Sequence, residues 1–298
     1  MANMPALTIV GSPGRRQKMI DLAVEAEERG FTGIYVPSLA ALMPFCQALL
    51  EATSKIWVGT AIQPIYVQHP RELAATAAFL HEMSEGRFRM GLGVSHAPVY
   101  DRMNLNVGKP LSDMRDYVAG MRAQEDVGEL PPIVLATLRN KMLGMSGDIA
   151  EGAIWANGAR SYVPSQLAAT GVKPGDDFFV SNMQPTVVDD DREAAGAVHK
   201  RTLTGYLMLP NYRNYWREAG YAAGIDALEA SMAADDGAFL PDLMGDDWLS
   251  DVTLYGSASY IRDEVEKSLG NGITPILVPS STTGGMSKGI REVFDVFK

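Results

Sequence analysis

The chain has 298 residues, 46% of them hydrophobic and 21% charged, with a formal net charge of −10. That composition excludes a disordered or fibrous protein, and an acidic balance with no basic run to offset it excludes a nucleic-acid partner. The single cysteine, Cys46, permits no intramolecular disulfide, and the four histidines (His69, His81, His96, His199) lack metal-ligand spacing, so no metal is expected.

The start of the chain shows no basic segment leading into an apolar one, and no run of about 18 apolar residues occurs anywhere, which predicts a cytoplasmic protein with no membrane partner. Leu7-Thr8-Ile9-Val10 is a short β-branched run closed by Gly11-Ser12-Pro13-Gly14. Residues 15–30 then place Met19, Ile20, Ala23, Val24 and Ala26 at helical spacing before the stop at Gly30. The unit repeats with strand 33–36, helix 39–53 and strand 55–60. Pro70 opens a third helix that runs to Ser84-Glu85-Gly86, and a fourth strand follows at 87–93. Residues 96–110 lack periodicity and read as a loop.

Helix 111–124, strand 132–136, helix 138–147, strand 152–155, a helix from about 162 and strand 177–181 continue the alternation. From 192 to about 250 the pattern turns helical, with Tyr206, Tyr212, Tyr215 and Trp216 crowded together, and reads as an insertion or lid. Helix 258–270, strand 273–278 and helix 287–297 finish the chain. Eight strands, each followed by a helix, predict one α/β domain over residues 1–298. Its fold would be a (β/α)8 TIM barrel with insertions after the fourth and seventh strands, and the length fits a barrel of roughly 250 residues with additions.

In such a barrel the residues just after each strand converge on one pocket. They include Ser12, Ser38, Ala61-Ile62-Gln63, Ser95-His96, Leu138 to Met142, Trp155-Ala156-Asn157 and Ser181-Asn182. Most are small, polar or uncharged, which suits a flat neutral ring. His96 stands out because it follows a strand end within a Gly-Leu-Gly turn. Gly91-Leu92-Gly93-Val94-Ser95-His96 begins like a dinucleotide fingerprint but has His at the third glycine position. Gly93-Val94-Ser95-His96-Ala97 approximates a nucleophile elbow, yet the segment after it does not read as a helix. At Ala136 to Met142, Arg139 and Lys141 stand where a helix begins, so they either hold a phosphate or merely solvate the helix start.

Several segments together resemble the luciferase-like monooxygenase family, in its branch of coenzyme F420 (deazaflavin)-dependent oxidoreductases. They are Ala26-Glu27-Glu28-Arg29-Gly30-Phe31-Thr32-Gly33-Ile34-Tyr35-Val36, Val58-Gly59-Thr60-Ala61-Ile62, and His69-Pro70-Arg71-Glu72-Leu73-Ala74. Ser84-Glu85-Gly86-Arg87-Phe88, Gly91-Leu92-Gly93-Val94, Lys141-Met142-Leu143 and Gly147-Asp148-Ile149-Ala150-Glu151-Gly152 follow in the family's order. The resemblance covers residues 5 to about 165, with a weaker echo at Tyr255-Gly256-Ser257.

That resemblance implies a (β/α)8 barrel with a cofactor lying across the carboxyl ends of the strands, a non-proline cis peptide at Ala61-Ile62, and a homodimer. Matched to the family's motifs, the cofactor residues would be Ser38, Ala61, Ile62, Gly93, Ser95, His96, Leu138, Arg139, Lys141, Met142, Trp155 and Ala156. His96 would be the first candidate for acid–base work and Tyr66 the second. Leu39 stands where the family's sugar-phosphate dehydrogenases carry a proton-donating His, and Ala97-Pro98 where they carry a Glu. Ala156 and Ala159 replace residues that would hold a sugar phosphate, so such a substrate is not expected. The expected function is hydride transfer between F420 and a small organic substrate. The alternatives are an FMN-dependent monooxygenase on the same fold and a flavin-binding protein without turnover.

Overall fold

The computed structural model describes residues 4–38, 41–234 and 240–298. Its strands, in chain order, are β1 (Ala6–Thr8), β2 (Gly33–Val36), β3 (Trp57–Thr60), β4 (Gln63–Pro64), β5 (Phe88–Gly93), β6 (Ile133–Ala136), β7 (Gly152–Ala156), β8 (Phe179–Val188), β9 (Leu254–Gly256) and β10 (Thr274–Ser280). Eight of them form a closed ring of parallel strands in the order β1-β2-β3-β5-β6-β7-β8-β10, with β10 pairing back to β1. The short β4 resumes pairing with β5 after a break, and β9 adds to the far end of β8.

Helices α1 (Arg16–Glu28), α2 (Leu42–Ala52), α3 (Pro70–Met83), α4 (Ala97–Met103), α5 (Pro110–Arg122), α6 (Asn140–Ile149) and α7 (Val163–Thr170) accompany the first six ring strands. After β8 come α8 (Arg192–Leu207), α9 (Pro210–Trp216), α10 (Ala222–Ala234) and α11 (Asp246–Val252), which build the helical insertion. Helices α12 (Ala258–Gly270) and α13 (Met286–Val296) flank β10.

Alternation along the strands divides their side chains between two packed spaces. Ala6, Tyr35, Val134, Ile154, Met183 and Ile276, from six different strands, meet inside the ring. Leu7, Ile34, Val58, Met90 and Leu135 face the helices in the main core. At the amino-terminal end of the strands the Arg89 guanidinium lies 3.9 Å from the centre of the Trp57 ring and 4.1 Å from that of Phe179, and Nη1 donates to Tyr35 Oη at 3.0 Å. This layer closes the lower end of the barrel with cation–π contacts.

Several of the segments that carry the resemblance are structural staples. Glu27 accepts the amides of Ser54, Lys55 and Ile56 at 2.8, 2.6 and 2.9 Å, which ties α1 to the turn before β3. Arg87 donates to the carbonyls of Leu50, Thr53 and Ile56 and so satisfies the end of α2. His69 caps α3, its Nδ1 accepting from the Arg71 amide at 3.3 Å, with Pro70 in the first turn.

Two expectations need correction. The segment after His96 is not all loop: residues 97–103 form α4, which has no buried residue and therefore no apolar periodicity to read. The seventh ring strand runs to Val188 rather than Ser181, because Asn182, Gln184 and Thr186, which look like strand breakers, are buried and paired on both sides. Leu39 lies outside the described residues.

The insertion has its own core, in which Leu203, Tyr212, Tyr215, Trp216, Ile225, Leu228 and Trp248 are buried. His199 on α8 is fully buried there. Its Nε2 donates to the Leu254 carbonyl at 3.0 Å, and Nδ1 has no partner among the described residues. Burial pushes its pKa down from 6.5 to about 4, the bond to Leu254 opposing only in part. The folded state therefore refuses a proton that the unfolded chain accepts, so stability is full above pH 6.5 and falls as the pH drops toward 4. The expected loss by pH 5 is about 2 kcal/mol. Urea denaturation at pH 7 and pH 5 checks this, since His199→Gln should flatten that part of the slope. Identical slopes in both proteins would reject it.

Candidate active site

Ala61 and Ile62 are joined by a cis peptide bond, as the resemblance implies. Ile62 then lies over β5: a Cβ on Gly93 would stand 2.6 Å from Ile62 Cδ1 and 3.1 Å from Ala136 Cβ. Glycine at 93 thus leaves the space that Ile62 fills. From the other side Ser38 Oγ donates to the Ile62 carbonyl. Ile62, Ala136 and Ala156 are partly buried against the barrel interior, so the mouth of the barrel has an apolar rim with little side-chain bulk.

The chain leaves β5 through Ser95, whose φ of 63° is left-handed, and His96 then stands immediately before α4. The His96 ring is half-buried and meets Tyr212 of α9 edge-on, with centroids 5.8 Å apart. An unbroken run of rings continues from Tyr212 to Trp216 at 5.3 Å and from Trp216 to Trp248 at 5.4 Å. These aromatics are packing for the insertion. Burial lowers the His96 pKa, so its imidazole is neutral at neutral pH. The helix after Ser95 and its left-handed φ make the turn more like a nucleophile elbow than the sequence shows. No base completes it, because Ser95 Oγ has no hydrogen-bond partner among the described residues.

Tyr66, the second acid–base candidate, donates to Asp113 Oδ2 at 2.6 Å, and Asp113 also accepts the Gly108 amide at 2.9 Å. Burial and that carboxylate both hold the phenol firmly protonated. Tyr100, in edge contact with Tyr66, donates to the Val94 carbonyl. His96 is the more available of the two groups.

Across the mouth, α6 begins at Asn140 with Arg139 as its cap residue and no side-chain cap bond. The amides of Met142 and Leu143 already turn back to the Arg139 carbonyl, at 3.1 and 3.2 Å. Those of Asn140 and Lys141 are left for another acceptor. Thr137 Oγ1, just before this turn, is buried without a partner. The Arg139 side chain is held by both carboxylate oxygens of Glu218 in the insertion, with Nε at 3.0 and 3.1 Å. That pairing, between residues 79 apart, has no signal in the sequence.

Gln166 supports the same turn: it donates to the Leu138 carbonyl at 3.1 Å and to Asn140 Oδ1 at 3.0 Å, and accepts from Trp155 Nε1 at 3.2 Å. Ser38, Ala61, Ile62, Gly93, Ala156, Ser95 and His96 therefore gather on or beside the mouth, with Arg139 across it, while the side chains of Leu138 and Met142 pack against the insertion core and the main core respectively. Trp155 does not join them. It is fully buried outside the ring with the insertion core, because alternation puts Ile154 and Ala156 inward. Lys141 is turned toward α5. Tyr212, which meets His96, was visible in the sequence only as one of a crowd of aromatics. Among the described residues no helix is long and apolar enough to cross a membrane, and no group of three or more His, Cys, Asp or Glu could hold a metal.

The chain is thus a closed parallel (β/α)8 barrel with a cis bond just after the third ring strand, a low apolar rim and a helix start facing it. The chain belongs to the luciferase-like monooxygenase family, whose model matches residues 7–274. It is 22% identical over 304 residues to 5,10-methylenetetrahydromethanopterin reductase of Methanolobus tindarius, covering 92% of this chain and 93% of that protein. Uncharacterised proteins of Mycobacterium bovis and Mycobacterium tuberculosis are 33% identical over 127 residues, and the match spans 41% of this chain but only 37% of their length. Among solved structures, the F420-dependent tetrahydromethanopterin reductase of Methanopyrus kandleri superposes with a TM-score of 0.70 at 18% identity, covering 98% of this chain and 97% of the other. The FMN complex of a Baeyer-Villiger monooxygenase component from Pseudomonas putida gives 0.63 at 18% identity, covering 100% and 96%. At these identities the structural likenesses establish the fold.

Proposed function

We propose that the protein is an F420-dependent oxidoreductase that moves a hydride between the deazaflavin and a small organic substrate. What supports this reading most is the end-to-end match to a reductase whose structural counterpart is F420-dependent, at 93% coverage of that relative. The mouth fits the group: Ala136 and Ala156 put little bulk on the rim, and Ile62, seated in the space that Gly93 leaves, would back a flat ring. The unbonded amides of Asn140 and Lys141, with the buried Thr137 hydroxyl beside them, suit a phosphate.

A bound deazaflavin supplies two-electron hydride chemistry. Ile62 would back its ring, and the first turn of α6 would hold its phosphate end. Neutral His96 takes a proton from a substrate hydroxyl on one imidazole nitrogen and returns it in the reverse direction. The insertion, seated on the loops after β6 and β7 through Arg139–Glu218, Tyr215–Ala159 and Trp216–Asn157, keeps water from that side.

Titration of the purified chain with coenzyme F420 and with FMN, followed by ligand fluorescence, tests the reading. Saturable F420 binding at least tenfold tighter than FMN is the expected result. Tighter FMN binding, with oxygen consumed when the flavin is reduced, would replace it with the monooxygenase reading that the FMN-bound structural relative favours.

A further inference from the structure

Around the barrel α1 packs on α2, α2 on α3, α3 on α5, α5 on α6, α6 on α7, and α12 on α13, which closes back on α1. Between α7 and α12 the ring of helices stands open, because the chain after β8 departs into the insertion. A cavity of about 300 Å³ lies in this gap, on the outer face of β8 and β10, with the barrel wall between it and the mouth. Its floor is Asn182, Gln184 and Pro275, turned outward because Met183 and Ile276 point into the ring.

The floor holds a donor with nothing to bond. Gln184 is 1% exposed, and its Nε2 has no partner among the described residues. A buried donor left this way is costly, so the floor calls for an acceptor oxygen. The charged groups of the walls are already satisfied. Arg160 meets Glu264 at 3.0 Å and donates to the Thr253 carbonyl at 2.7 Å, and Lys267 meets Glu264 at 2.6 Å. Asp251 accepts from the Ser161 amide and hydroxyl and from Tyr221. Two cations against two carboxylates leave no net charge to draw an ion. Glu264 Oε1 and Asp251 Oδ1 each keep an unused lone pair, and the Lys267 ammonium keeps two N–H groups.

Hydroxyl groups donate and accept at once, so they use such leftovers without breaking an ion pair. We infer that the α7–α12 cavity binds a small uncharged polyhydroxy compound, a monosaccharide or cyclitol, one of whose hydroxyls accepts from Gln184 Nε2. The volume is at the lower end for small-molecule sites, which suits a single ring. Val163, Ile273 and Pro275 offer the ring's C–H groups an apolar face. The site owes nothing to the choice of cofactor at the mouth.

Saturation-transfer NMR of the full chain, titrated with glucose and with myo-inositol, tests this. At least one of them is expected to bind saturably. Gln184→Leu, which removes the unmet donor and keeps a buried side chain of similar size, should weaken that binding about tenfold. Asn271→Trp, an exposed change at the rim of the cavity, should block entry, with thermal denaturation showing that both variants fold. No saturable binding of either compound to the unaltered chain would mean a cavity for water only and would overturn the inference. Binding that survives Gln184→Leu unchanged would overturn it too. So would tighter binding of glycine or acetate, because a charged ligand requires the paired groups of the walls to part.

Discussion

Gly91→Ala is expected to cost the protein more than about 3 kcal/mol, at or beyond the upper end for overpacking, and to leave little folded barrel at 37 °C. A Cβ at this position would stand 1.9 Å from the Thr60 carbonyl oxygen and 2.9 Å from its carbon. Both are backbone atoms, so no side-chain rotation relieves the clash, and β3 would have to part from β5. Thr60 Oγ1 also donates to the Gly91 carbonyl at 2.7 Å, a bond lost with the same movement. Two companions make the measurement specific. Gly93→Ala meets the Ile62 side chain at 2.6 Å and Ala136 Cβ at 3.1 Å but no backbone atom, so it should fold, less stably, and alter ring binding instead. Gly144→Ala on α6 meets nothing within 4 Å and should be neutral or slightly stabilising. Chemical denaturation of the three proteins decides; a Gly91→Ala midpoint equal to that of the unaltered chain would disprove the close-approach argument.

His96→Gln is expected to lower turnover about a hundredfold, the lower end of what a positioned acid–base group contributes, with F420 affinity changed far less. In the direction that oxidises the substrate the neutral imidazole is the active form. Rate should therefore fall as the pH drops through the His96 pKa, which burial places below the ordinary 6.5. The acid limb should vanish in the variant. A structural role alone would move Kd and thermal stability and leave the shape of the pH profile untouched. Unchanged turnover, or an acid limb that survives the substitution, would take His96 out of the mechanism.

The alternation of short apolar runs with Gly-stopped helices made the eight ring strands legible, and the cis bond followed from the resemblance at Val58 to Ile62. What escaped reading did so for physical reasons. Helix α4 buries no residue, so no periodicity marks it. The far half of β8 buries Asn182 and Gln184, residues whose types argue for a loop. Trp155 sits one residue past a correctly placed strand centre, and only the inward parity of Ile154 reveals that its ring faces away from the mouth. The hold of Glu218 on Arg139 joins segments whose proximity exists only after the insertion folds back.

The layer of Trp57, Arg89, Phe179 and Tyr35 under the barrel gives the molecule the topology of a cup. Among the described residues this layer closes the lower end, which leaves the mouth as the way in. Whatever lodges lower must arrive first and depart last, and a partner seated above it acts as a stopper. On the proposed function, a ring held on the rim with a substrate over it would exchange as a queue, the ring staying put while substrates turn over.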